Sequence, residues 1–171
     1  MFYPDRREKS AYTIDYADLY RKGYRGVIFD IDNTLVPHGA PATKEAAAFF
    51  ASLRETGFSA CLLSNNQKPR VAPFADAVGS IYIENAHKPS VKNYQEACRR
   101  MGIKEEHAVF VGDQLFTDVY GAKRTGLYNI LTEPINPKEE IQIVLKRYLE
   151  HIVLFFYERD LARGRITKKN S

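Results

Sequence analysis

The sequence predicts a doubly wound α/β domain built on a parallel sheet, and three observations carry that expectation. Short, nearly continuous apolar runs recur along the chain, and each ends in small or polar residues. A helical pattern stopped by glycine follows most of them, and neither an internal repeat nor a Pro/Gly/Ser-rich linker divides the chain. Strands apolar on both faces belong in a sheet covered by helices on both sides and joined by right-handed crossovers. At 171 residues, 44% of them hydrophobic, the chain can bury such a core without disulfides or a structural metal.

Residues 1 to 25 read as a helical lead-in, because Ile14, Ala17 and the tyrosines at 3, 12, 16, 20 and 24 suit a half-buried face better than a base-stacking platform. The first apolar run is Gly26 to Asp30. A helix from Thr43 to Thr56 stops at Gly57, and the second run is Phe58 to Ser64. A short helix near Val71 to Ala77 stops at Gly79, before a third run from Ser80 to Ile83. Ser90 is the expected N-cap of a helix reaching Met101 and stopped by Gly102. The fourth run is Ala108 to Gly112, the next helix Thr117 to Thr125 before Gly126, and the fifth run Leu127 to Leu131.

Residues 1 to 137 thus form the expected domain, followed by an amphipathic helix over 138–163 and a flexible basic tail over 164–171. In that helix Ile141, Val144, Leu145, Tyr148, Ile152, Phe155 and Phe156 fall on one stripe, widened by Val153, Leu154 and Tyr157. The stripe is expected to pack on the domain or on a twin subunit, giving a homo-oligomer. Lys146, Arg147, Glu150, Arg159 and Arg163 fall mostly outside it; the basic flanks keep a peripheral contact with anionic membrane open as the second reading, which the mixed charges weaken.

The net charge of +4 divides unevenly: residues 1–25 carry +2, residues 26–137 carry −1 and residues 138–171 carry +3. A nucleic-acid-binding core would concentrate Lys and Arg on its own surface, so nucleic acid is not the expected partner. Cys61 and Cys98 sit among apolar residues, as buried thiols do in a reducing compartment. No apolar segment follows the N-terminal charges as in a signal peptide, and the run from Ile152 to Tyr157 is far short of the ~20 residues of a spanning helix. A cytoplasmic protein is expected, at most peripheral at the inner membrane face.

In open α/β sheets ligands bind beyond the carboxyl ends of the strands, at a topological switch point. Those positions here read Asp30-Ile31-Asp32-Asn33-Thr34, Ser64-Asn65-Asn66, Glu84-Asn85-Ala86-His87-Lys88 and Gly112-Asp113-Gln114. Any one of these would pass for a cap or a turn. Together they gather three carboxylates, a serine and a lysine on one edge. Asp30, Asp32 and Asp113 would repel one another without a cation, and Mg²⁺ suits hard oxygen ligands where no Cys or His has ligand spacing. With the charge neutralised, Asp30 can attack the phosphorus of a phosphomonoester while Asp32 serves as acid and then base. Ser64 and Lys88 would hold the phosphoryl oxygens, and Asp118 would orient Lys88 or a water on the metal.

The ordered motifs Asp30-Ile-Asp32-Asn-Thr34-Leu, Leu62-Leu-Ser64-Asn-Asn, His87-Lys88-Pro89 and Gly112-Asp113-Gln-Leu-Phe-Thr117-Asp118 resemble the four motifs of haloacid-dehalogenase-superfamily phosphatases. The likeness is greatest to the YqeG type of the IIIA subfamily, which is related to phosphatidylglycerophosphatases, and it covers about residues 10 to 135. It implies a sheet order of 5-4-1-2-3 for the five runs. It also implies Asp30 as nucleophile, Asp32 as acid/base, and Ser64, Asn65 and Lys88 as phosphate ligands. Asp30, Asp113 and Asp32, the last through its backbone carbonyl, would hold the metal, with Asp118 behind them. The segments after the first and second motifs have no room for a cap domain, so an open site for a bulky phosphate, such as phosphatidylglycerophosphate, is expected. Two rivals stand beside this reading. A receiver module would need its acceptor Asp after the third run, where Glu84-Asn85-Ala86 stands, and an interaction protein of RNA or ribosomes would use the fold without the chemistry.

Overall fold

A computed structural model of the chain describes residues 2–136 and 141–165, the side chains of 141–147 excepted. Six strands form one all-parallel sheet: β1 Arg6–Glu8, β2 Gly26–Phe29, β3 Ser59–Leu63, β4 Ile81–Ile83, β5 Ala108–Gly112 and β6 Tyr128–Thr132, in the order β1-β6-β5-β2-β3-β4. The helices are α1 Tyr16–Arg21, α2 Lys44–Thr56, α3 Lys68–Val78, α4 Val91–Met101, α5 Tyr120–Thr125 and α6 Ile141–Ala162. The five expected strands keep the implied order. The sixth, β1, extends the sheet beyond β6 from within the lead-in that the tyrosines had suggested was helical. Asp5, just before β1, clamps this edge: it bonds the buried Asn129 on β6 and accepts from Lys123 Nζ at 2.8 Å.

Side chains alternate across the pleat into two cores. Val27, Phe29, Leu62, Val109 and Val111 face α1, α2 and α3, where Phe50, Leu53 and Phe74 complete the packing. Ile28, Cys61, Leu63 and Phe110 face Tyr94, Ala97, Cys98 and Ala122 of α4 and α5. Burial pushes both thiols up to about 12, so they are inert core groups. The aromatic N-terminal face packs as expected, with Tyr12 and Tyr16 against Phe49 and Tyr20 against Phe58.

Three local details differ from the sequence reading. Ser90 stands at the start of α4 without its side chain capping the helix, whereas Thr43 does cap α2 by accepting from Ala46 N at 3.0 Å. Helix α3 begins at Lys68, one turn earlier than expected, with Pro69 and Arg70 in its first turn. The segment after Asp113 begins as a π-helical turn, Leu115–Val119, before α5. Such turns recur at functional sites because they re-aim side chains without breaking the helix.

The C-terminal helix runs from Ile141 to Ala162, so the start expected at 138 and the tail residues from 166 on lie outside the described residues, as do the side chains of Ile141, Val144, Leu145, Lys146 and Arg147. Among the described side chains, the residues that widen the stripe are the ones that pack on the domain. Val153 and Leu154 meet Leu115, Val119 and Leu131, and the buried Glu150 and Tyr157 lie on the same side. Tyr148, Ile152, Phe155 and Phe156 point to solvent, with Phe155 66% exposed. No described helix is long and apolar enough to cross a membrane.

Candidate active site

The chain leaves β2 toward β3 on one side and returns to β5 on the other, so β2 and β5 flank the switch point. Asp30 follows β2, with its N–H bonded to Val111 O at 3.0 Å, and Asp113 follows β5. Beyond Asp30 the backbone folds back, helped by Asn33 at φ 63° and by the bond from Asn33 N to Val36 O at 2.7 Å. Asparagine tolerates this left-handed conformation better than most residues. The turn buries Thr34, whose hydroxyl lies 3.4 Å from one carboxylate oxygen each of Asp30 and Asp113.

Lys88 reaches the cluster from the loop after β4. That loop lies along the end of β3 through Ala86 N to Ser64 O at 2.9 Å and Asn85 N to Asn66 O at 2.9 Å, while Asn65 Oδ1 accepts the Lys88 N–H at 2.7 Å. Lys88 Nζ then donates to Asp30 Oδ1 at 2.6 Å and to Asp118 Oδ1 at 2.7 Å. The other oxygen of Asp118 accepts from Gln114 N at 3.0 Å, and Gly112 leaves the space that its carboxylate fills.

One carboxylate oxygen each from Asp30, Asp113 and Asp118 lie within 4.8 Å of one another, and all three residues are buried. Three carboxylates against one ammonium leave a net charge of −2 in a place where unpaired charge is expensive. Burial pushes the Asp30 carboxyl up to about 6 against the pull of Lys88, and Asp118 adds to the rise. Burial alone would lower the Lys88 ammonium, but Asp118 and Asp30 hold it well above the ordinary lysine range. Hard oxygen donors, close convergence and an excess of two negative charges fit a divalent cation of the Mg²⁺ kind.

The carboxylate of Asp32 faces away from this cluster. It accepts from Gly39 N at 2.7 Å, Asn66 Nδ2 at 2.7 Å and Arg70 Nη2 at 2.9 Å. The Asp32 carboxylate thus stands apart from the clustered oxygens, and Asp118 is the third carboxylate of the cluster. Ser64 is buried, and its Oγ accepts from Asn66 N at 3.1 Å, which leaves the hydroxyl proton to donate elsewhere. His38 and His87 are exposed at the margin, as solvated neighbours.

Arg70, Asn66 and Gly39 N, the partners of Asp32, had no assigned part in the sequence reading. Starting α3 at Val71 had put Arg70 outside the helix, and only the proline at 69, suited to a helix's first turn, hinted at the earlier start. Glu150 was missed as well. Its carboxylate on α6 accepts from Leu115 N at 2.9 Å and Phe116 N at 3.4 Å, tying the C-terminal helix to the turn after Asp113. Between α6 and the sheet edge lies a cavity of about 740 Å³ that reaches Asp113 and includes Arg7, Leu131 and Leu154 in its wall. A smaller open cleft of about 490 Å³ lies on the Asp32 side, lined by Asn65, Asn66, Gln67, Pro69, Arg70 and Asn85.

Residues 39–126 match the haloacid dehalogenase-like hydrolase family model. The chain is 35% identical over 159 residues, 92% of either protein, to the probable phosphatase YqeG of Bacillus subtilis. It is 30% identical over 161 residues to an Arabidopsis thaliana phosphatidylglycerophosphate phosphatase 1, covering 88% of this chain and 46% of that one. Among solved structures, an uncharacterized protein from Corynebacterium glutamicum shares the fold at TM-score 0.55 and 22% identity, over 65% of this chain and 86% of its own. Buried aspartates at the ends of β2 and β5, a lysine from the loop after β4 and relatives of this kind lead to one family: the chain belongs to the haloacid dehalogenase-like hydrolases, and it is a phosphatase.

Proposed function

We propose that the protein is a Mg²⁺-dependent phosphomonoesterase that works through an aspartyl-phosphate at Asp30. The observation that carries this reading is the buried Asp30 carboxylate, bonded to Lys88 and grouped with Asp113 and Asp118. Asp30, Asp113 and Asp118 would hold the cation together with the Asp32 carbonyl. When bound, it offsets the site's negative charge and polarises the phosphoryl oxygens.

The chain's own groups do the rest. Lys88, Ser64 and the Asn65 amide donate to the phosphoryl oxygens as charge spreads over them. An Asp30 oxygen attacks phosphorus and the phosphorus–oxygen bond to the alcohol breaks, while Asp32 gives its proton to the departing oxygen. Asp32 then takes a proton from water, whose oxygen attacks phosphorus, releasing inorganic phosphate and restoring Asp30.

The substrate class we favour is a bulky phosphate ester, with phosphatidylglycerophosphate first because two relatives carry that name. The solvent-facing residues Tyr148, Leu149, Ile152, Phe155 and Phe156 of α6 favour an associated reading, contact with a membrane surface. Hydrolysis of an aryl phosphate by purified protein, titrated with Mg²⁺, tests the chemistry. Asp30→Asn should abolish turnover with the fold intact, and Asp113→Asn should require much more Mg²⁺. Undiminished turnover by Asp30→Asn would sink the nucleophile assignment.

A further inference from the structure

Asp32 sits where a proton must be delivered, so the alcohol of the substrate leaves on the Asp32 side of the phosphoryl group. What lines that side decides which alcohols fit. The residues there are Asn65, Asn66, Gln67, Pro69, Arg70 and Asn85, around the open cleft of about 490 Å³. Amides dominate this lining, and Arg70 is its one charged residue. The first turn of α3, from which Arg70 projects, carries no acidic side chain.

Arg70 is not fully used. Its Nη2 donates to Asp32 Oδ1 at 2.9 Å, but its Nε is buried and has no hydrogen-bond partner among the described residues. An orphaned buried donor is costly, and guanidinium N–H groups side by side form the fork that grips an oxyanion with two parallel bonds. Nε and Nη2 make one such edge, and only half of it is engaged. Lysine would not supply this fork.

We propose that Arg70, with the amides of Asn66, Gln67 and Asn85, is the leaving-group subsite, and that it selects phosphomonoesters whose alcohol carries a second oxyanion, such as a phosphodiester or a carboxylate. This inference rests on the proposed reaction at Asp30. When the second anion enters the cleft, Arg70 turns its Nε/Nη2 edge from Asp32 to the ligand. Oδ1 of Asp32 then loses its cationic partner, and the acid group is freed only when the right alcohol is present. No covalent step is added. The subsite works by exchanging one ion pair for another.

The test compares three glycerol-based monoesters that differ in the second group: one linked to a phosphodiester, 3-phosphoglycerate with a carboxylate, and glycerol 3-phosphate with neither. Wild type should prefer one or both anionic esters over glycerol 3-phosphate by about tenfold or more in kcat/KM, as a charge-assisted contact implies. The arm that gains identifies which oxyanion the cleft takes. Arg70→Gln should slow every ester through Asp32, yet it should also shrink the preference to about threefold or less, mainly in KM. Arg70→Lys should recover only part of it. Gln67→Glu, at an exposed position whose change leaves the core untouched, should cut the preference in the same sense by repelling the second anion.

Calorimetric binding of the same three compounds to Asp30→Asn protein reads the subsite without turnover. Failure of aryl phosphate hydrolysis would overturn the reaction and leave this measurement standing. Equal binding of all three by Asp30→Asn, or a wild-type preference that survives both Arg70→Gln and Gln67→Glu, would overturn the subsite and leave Arg70 as a positioning residue for Asp32.

Discussion

Single residues in this site do their work by the room they leave as well as by the groups they carry. Gly112 is the clearest case. A Cβ built there would lie 2.5 Å from Asp118 Oδ2 and 2.8 Å from Asp118 Cβ, in space that the carboxylate cannot give up while it also holds Gln114 N and Lys88. Gly112→Ala should therefore displace Asp118 and, through it, Lys88. Overpacking of this kind costs roughly 1–3 kcal/mol, and we expect at least a tenfold loss in kcat for the aryl phosphate. Urea denaturation and steady-state kinetics check the two parts. A fully active Gly112→Ala would show that Lys88 does not depend on the Asp118 position. At this scale the sequence announced Asp30, Asp32, Ser64, Lys88 and Asp113 because each lies in the short segment that follows a strand, from one residue beyond its end for Asp30, Ser64 and Asp113 to five for Lys88. Arg70 could not be read the same way, since its meaning depends on Asp32, 38 positions away in the chain.

Among the secondary elements, α6 shows how an amphipathic pattern can indicate a helix without saying which part of its apolar surface packs on the domain. Tyr148, Ile152, Phe155 and Phe156 of the stripe face solvent, and the helix is anchored by Glu150, a residue that helical periodicity assigns to a polar side. Two converging N–H groups at the start of the π-helical turn explain this: they need an acceptor, and a carboxylate satisfies both. Glu150→Ala should leave those donors unsatisfied, at a cost of about 1–3 kcal/mol, and loosen the turn that positions Asp113 and Asp118. The expected result is a lower urea midpoint together with a Mg²⁺ titration moved to higher concentration. Glu150→Gln, which keeps an acceptor oxygen, should restore most of both. Recovery of stability without recovery of the metal titration would separate α6 from the site.

For the molecule as a whole, the basic excess lies at the two chain ends, while the middle holds acids that belong to the cluster. The N-terminal segment and α6 come together, as the tilted ring contact of Tyr3 with Tyr157 and the pairing of Arg7 with Glu158 show. Arg7 of the N-terminal segment and Leu154, Tyr157 and Glu158 of α6 line the cavity that reaches Asp113, while Tyr148, Phe155 and Phe156 of α6 are exposed. If that exposed face meets anionic lipid, Phe155→Ser with Phe156→Ser should reduce sedimentation with phosphatidylglycerol vesicles at least several-fold and leave hydrolysis of a soluble aryl phosphate unaffected. Unchanged sedimentation with a fall in oligomer size would assign the face to a second copy of the chain.

The sequence by itself determined the strand and helix succession, the parallel sheet and the strand-end carboxylates. These rest on local hydrophobic periodicity and on chain punctuation by glycine, which neighbouring residues encode. Only the tertiary structure decided that β1 joins the sheet, that Asp118 enters the carboxylate cluster while the side chain of Asp32 turns toward Arg70, and which face of α6 is buried. Each of those outcomes is a pairing across a long stretch of chain, chosen by which buried donor or acceptor was still unsatisfied once the sheet had formed.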